Sequence, residues 1–251
     1  MALAIPAEAA PPPAPPPPVP PPVVRPPVIR APTRLTFAEV DRYFRESRDF
    51  GATFNALHEA YPDDYSALIN RIVEAAAGGT PAAAQREGFL FMRRLTSAHG
   101  AALARAPDED LRALGTAYQA FTEALQGYSI PLCAQFTMTG FSPGLVLPPD
   151  LVRRMDTVNA LQIRAMRRGE DAPPRAAMDA DAQRLWVERL WAIDPDSAAA
   201  LNNPANATPE QQCQAGIALY RAANDLPAHV SASVLATLFQ ASLRLQADRA
   251  Q

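Results

Sequence analysis

Beyond about residue 34 the apolar positions fall at helical spacing almost without interruption. Tyr65, Leu68, Ile69, Ile72, Val73 and Ala76 follow the i, i+3, i+4, i+7 rule that lines one face of a helix, and Gly78-Gly79 marks its end. Upstream, Thr36 followed by Glu39 reads as a capping box opening a segment through Phe37, Val40, Tyr43 and Phe44. Thr80-Pro81 places an N-cap before a proline at the first helical position, ahead of Phe89, Met92 and Leu95. Near Pro107-Asp108, acids in a first turn introduce Leu111, Leu114, Tyr118, Phe121 and Leu125 on one face.

The second half continues in the same style. Pro148-Pro149-Asp150 precedes Leu151, Val152, Met155, Val158, Gln162 and Met166, with a stop near Gly169. A segment from Ala177 to Ile193 carries Leu185, Trp186 and Leu190. Thr208-Pro209-Glu210-Gln211 repeats the capped-proline device before Ile217, Tyr220 and Leu226, and a last helix follows Pro227 through Val230, Val234, Leu238 and Ala241. No β alternation and no Asn-Gly hairpin signal interrupts this pattern. The predicted class is all-α, with eight to nine helices of moderate length. A loose echo links Leu114-Gly115 through Tyr118 with Ala215-Gly216 through Tyr220. One echo of that kind, among alanine-rich helices, does not make a solenoid.

One connector breaks the pattern. Residues 128–147 read YSIPLCAQFTMTGFSPGLVL, interrupted by Pro131, Gly140, Pro143 and Gly144 yet crowded with apolar side chains. Loops are usually polar, so these groups are either buried in a core or form a contact surface. Phe136, Met138 and Phe141 are the candidate binding residues, and the stretch from Pro131 to Thr139 has partial helical character. The connector also divides the body into possible halves, 34–128 and 148–251.

Composition changes the picture mainly at the N-terminus. Fourteen of the 27 prolines lie between Pro6 and Pro32. Proline locks φ and donates no backbone hydrogen bond, so residues 1–33 are expected to be a disordered, semi-rigid spacer. In polyproline II form, Pro11 to Pro32 would span roughly 70 Å at about 3.1 Å per residue. Arg25, Arg30 and Arg34 stand out of register with the P-x-x-P pairs that SH3 domains read, and no P-P-x-Y is present. The spacer reading therefore leads. Residues 34–251 are then an all-helical domain.

Ala7-Glu8-Ala9 has the small-x-small pattern of a signal-peptidase site, but no basic residue precedes Arg25 and the apolar run before it is short. It reads either as the remnant of a leader that starts upstream or as an alanine-rich terminus. The chain has no lysine, which fits the codon bias of a high-GC genome. The two cysteines, Cys133 and Cys213, form a disulfide in an oxidising compartment or stay buried thiols in a reducing one. A periplasmic or secreted location is the expectation, with the cytoplasm as alternative.

A net charge of −3 argues against nucleic acid as a partner, since phosphate binding needs a basic surface. No apolar run is long enough for a transmembrane segment. The histidines His58, His99 and His229 are far apart. His58-Glu59 starts like the zinc motif H-E-x-x-H, but Pro62 stands where the second histidine belongs. No G-x-S-x-G, P-loop or dinucleotide fingerprint is present, so no catalytic residue, metal ligand or cofactor is assigned. The expected function is a non-enzymatic structural or protein-interaction domain of a bacterial cell envelope, with an unidentified protein partner. The alternatives are a helical, hydrolase-like enzyme with its site near the connector, and a secreted effector.

Overall fold

Eleven α-helices and two 3-10 turns make up most of the computed structural model, which describes residues 35–78, 81–142 and 144–248. The helices are α1 (Phe37–Arg45), α2 (Gly51–Ala60), α3 (Pro62–Gly78), α4 (Pro81–His99), α5 (Asp108–Tyr128), α6 (Ile130–Thr139), α7 (Pro149–Glu170), α8 (Ala180–Ile193), α9 (Pro195–Asn202), α10 (Pro209–Asn224) and α11 (Ala228–Asp248). The 3-10 turns are Gly100–Arg105 and Pro204–Asn206. No strand occurs among the described residues, so the fold is all-α. The expected spacer, residues 1–33, and the expected cap Thr80 lie outside them.

The helix starts show why these segments begin where they do. At α1, Thr36 Oγ1 accepts the Glu39 N–H at 3.3 Å while Glu39 Oε2 accepts the Thr36 N–H at 2.9 Å. At α10, Thr208 and Gln211 make the same reciprocal pair, at 3.3 and 2.9 Å. Each box satisfies two backbone donors that the first helical turn leaves without partners. Asp179 Oδ1 accepts the Ala182 N–H at 2.7 Å, so α8 opens at Ala180 rather than at Ala177.

The helix count exceeds the expected eight to nine. The excess comes from short helices: α2 has 10 residues, α6 has 10 and α9 has 8. Segments of that length hold too few turns to display a stripe of their own, and they are stabilised chiefly by what they pack on.

A single main core runs from Val40 to Phe239, with Leu57, Ile69, Leu111, Phe121, Ile163 and Leu235 fully enclosed. Residues on both sides of the 128–147 connector contribute to it. The long helix α7 packs on α2, on α5 and on the turn Gly100–Arg105, while α10 packs on α5, α6 and α9. A satellite cluster of Leu190, Ala198, Ala218 and Ala222 seats α8 and α9 on α10.

Close approach sets two positions. A Cβ on Gly169 would lie 2.0 Å from the Ala102 carbonyl oxygen, and one on Gly216 would lie 2.3 Å from Thr137 Oγ1. Only glycine lets α7 lie against the 100–105 turn and α10 against α6 at these distances.

Candidate functional site

Half of the connector singled out in the sequence is a helix. Ser129 Oγ accepts the Leu132 N–H at 3.4 Å, Pro131 sits in the first turn, and α6 runs to Thr139. Gly140, at φ +74°, ends it in the left-handed region that glycine adopts without cost. Cys133 and Cys213 are joined by a disulfide, with Cα atoms 5.2 Å apart and a sequence separation of 80. Of the two readings open for these cysteines, the bonded one is therefore observed. The bond lies one turn from the Thr137–Gly216 contact, so α6 is held on α10 twice over.

The three candidate binding residues fall into two groups. Phe136 and Phe141 are half-buried, their ring centroids 4.8 Å apart and 5.1 and 6.0 Å from the enclosed ring of Phe121. They are thus packed on the core by one face and open on the other. Met138 is also half-buried, on the same helix but outside the aromatic group. At the rim of the segment, Val146 is 81 % exposed and Tyr128 57 % exposed. The connector therefore has a core-facing side and an apolar outer side.

Behind it the aromatic cluster continues inward. Tyr118 stacks on Tyr220 at 5.3 Å, and both rings approach Phe239. The Tyr118 hydroxyl donates to Gln162 Oε1 at 3.1 Å, and burial pushes its pKa up to about 12. Burial, with Tyr118 nearby, also raises Tyr220.

A dense group of titratable side chains lies elsewhere and was not visible in the sequence. His99 Nδ1 is 2.6 Å from Glu170 Oε1, the Tyr61 hydroxyl donates to the same oxygen at 3.1 Å, and Arg167 reaches Glu170 Oε2 at 3.3 Å. On its other side His99 Nε2 faces Asp64 Oδ2 at 3.6 Å, and the Tyr61 ring lies 4.3 Å from the imidazole. Burial first, then the Glu170 carboxylate, raises the Tyr61 hydroxyl pKa. A carboxylate on Nδ1 is the orienting device of many histidine bases. Here the second ring nitrogen meets another carboxylate rather than a nucleophile. Chemically the group acts as a clasp: it ties Asp64 of α3, His99 of α4 and Glu170 of α7 together. His99 and Glu170 are 71 residues apart, so no local motif could have announced them.

The other histidines play different parts. His58 packs edge-on against Tyr65, with ring centroids 5.0 Å apart. His229 lines a cavity of about 370 Å³ with Arg175, Asp179, Asp181 and Ser233, and a second cavity of about 400 Å³ shares Arg175 with it. Among the described residues, no group of three histidine, cysteine or acidic side chains is placed to hold a metal ion. No described helix is long and apolar enough to cross a membrane. Compared with known proteins, the chain matches no family model, no curated protein and no solved structure.

Proposed function

We propose that residues 34–251 form a protein-interaction domain of the bacterial cell envelope or extracellular space, carried on the proline-rich segment 1–33 as a spacer. The observation that carries this reading is the Cys133–Cys213 bond, because structural disulfides persist in oxidising compartments. The bond is also positioned to serve recognition. It fixes the helix that carries Met138, next to Phe141 and the exposed Val146. A rigid apolar surface loses less freedom on binding than a loose one, so a staple at this point favours affinity. The partner contact is assigned to Met138, Phe141 and Val146, with Phe136 supporting it from the core side.

The test combines location with contact. Thiol-alkylation of cells followed by fractionation should find the chain oxidised and outside the cytoplasm. A photo-crosslinking residue at position 146 should give one defined adduct, which Met138→Asp abolishes while the melting temperature stays unchanged. A reduced, cytoplasmic chain would overturn the location, and an adduct unaffected by Met138→Asp would overturn the surface.

A further inference from the structure

We propose that the cavity of about 400 Å³ lined by Ala101, Ala104, Arg105, Pro174, Arg175 and Gln240 binds a small oxyanion, a carboxylate or a phosphate. This site is separate from the connector, and the inference does not depend on the function proposed for it.

Arg175 is held in place by the protein. Its Nε donates to the Ala104 carbonyl at 3.2 Å, and its Nη2 donates to the Ala106 carbonyl at 2.7 Å and meets Asp108 Oδ1 at 2.7 Å. None of these contacts uses Nη1. The guanidinium is thus fixed by three partners on one side, with a donor left over.

Arg105 is in a different situation. Its Nε is buried with no acceptor among the described residues, and no described carboxylate lies within ion-pair distance of its guanidinium. Several arginines elsewhere are matched, Arg168 with Glu109 and Asp110, Arg189 with Asp225 and Arg221 with Glu123, and described ones without an ion pair, such as Arg42, Arg112 and Arg154, are exposed, whereas Arg105 is half-buried. A buried donor without a partner is costly, and a second guanidinium beside it adds repulsion unless an anion sits between them.

The cavity offers the means to accept one. Its lining holds two guanidinium groups and no carboxylate; Asp108 pairs with Arg175 from outside the lining, and Asp179 and Asp181 line the neighbouring cavity that shares Arg175. Gln240 adds an amide that can donate, and Ala101, Ala104 and Pro174 supply apolar walls. Guanidinium forks match the planar or tetrahedral oxygens of carboxylate and phosphate, and such charge-assisted bonds strengthen where water is partly excluded. The lining comes from the 3-10 turn Gly100–Arg105, the segment before α8 and α11. A bound anion would therefore join three elements far apart in sequence.

Isothermal titration of the full chain with inorganic phosphate and, separately, with succinate, at constant ionic strength in chloride, tests this. One of them should bind saturably at one site per chain, and which one binds more tightly identifies the ligand class. Arg105→Gln should weaken that binding by about tenfold or more, the loss expected for one charged hydrogen bond, while Arg112→Gln on the exposed face of α5 should not. If Arg105→Gln fails to fold, Gln240→Leu replaces it and should also weaken binding. Absence of saturable binding for both anions, or equal affinity in the wild type and the folded cavity variant, would overturn the proposal.

Discussion

The carboxylate of Asp156, on α7, caps the start of α2 across 103 residues of sequence: it accepts the Thr53 N–H at 2.8 Å, and Thr53 Oγ1 donates back to the Asp156 carbonyl at 3.2 Å. The other carboxylate oxygen accepts the Ala52 N–H at 3.0 Å. The residue preceding α2, Phe50, has no side chain able to do this, so the cap is supplied by a neighbouring helix. Asp156→Ala would leave two backbone donors near the core without acceptors. It should lower stability by about 2 kcal/mol, read as a fall in the urea midpoint at unchanged slope. A midpoint equal to wild type would show that water replaces the carboxylate freely.

Reduction of Cys133–Cys213 should destabilise the domain strongly. With the cysteines at a sequence separation of 80, the loop-closure estimate is about 4 kcal/mol. Paired melting curves with and without a reductant, together with the Cys133→Ala/Cys213→Ala variant, check this. Coincident curves would mean that helix packing alone fixes α6.

Two glycines should respond in opposite directions. Gly169→Ala forces a Cβ against the Ala102 carbonyl oxygen, backbone that cannot rotate aside, and should cost about 3 kcal/mol or more. A Cβ on Gly88, within α4, meets nothing within 4 Å, so Gly88→Ala should stabilise by about 0.5–1 kcal/mol through helix propensity. Thermal midpoints shifting the same way for both would contradict these packings.

Phe136→Ala removes a ring that contacts Tyr118, Phe121 and Phe141, and should cost about 3 kcal/mol. Phe141 lies beyond the end of α6 and meets only Phe121 and Phe136 among the rings, so Phe141→Ala should cost less. Urea midpoints for the pair provide the comparison. Equal losses would mean that the segment after Gly140 is as firmly packed as α6.

Alkaline pH should unfold the domain through its tyrosines. Tyr61, Tyr65, Tyr118 and Tyr220 are all raised above the ordinary value, chiefly by burial, and Tyr118 stands at about 12. In the unfolded chain the same phenols ionise near 10, so above that pH the unfolded state holds fewer protons than the folded one. Stability is therefore fully present below about pH 10 and falls as pH rises toward 12. Tyrosinate absorbance followed beside circular dichroism should show these phenols ionising together with loss of helix. Ionisation well ahead of unfolding would contradict their burial.

What was legible in the chain followed from local chemistry. The caps Thr36/Glu39 and Thr208/Gln211 act on donors three residues away, and the stripe from Tyr65 to Ile72 lies within one helix, so neighbouring letters contain the information. The helix α2 was missed because its cap is Asp156. Similarly, α9 is capped by Asp194, whose carboxylate accepts the Asp196 N–H at 3.1 Å, but its eight residues, three of them alanine and one leucine, make no stripe. The pairing of His99 with Glu170 and the cavity between Arg105 and Arg175 exist only after α4, α7 and α11 have come together. The connector was half legible: its apolar content marked it as unusual, but whether a given phenylalanine faced inward depended on Phe121.

The span of the disulfide also dictates an order of events. Cys213 is made long after Cys133, so every chain passes through a stage in which α6 carries an unpaired thiol while α10 does not yet exist. During synthesis that thiol is open to mixed disulfides with other molecules, and the window closes only when Gly216 docks on Thr137 and brings the second sulfur alongside. Because no third cysteine is present, no wrong internal pairing can form. The hazard in maturation is therefore delay rather than scrambling: slow delivery of the last quarter of the chain leaves the protein vulnerable to capture, whereas an error of internal connectivity has no way to arise.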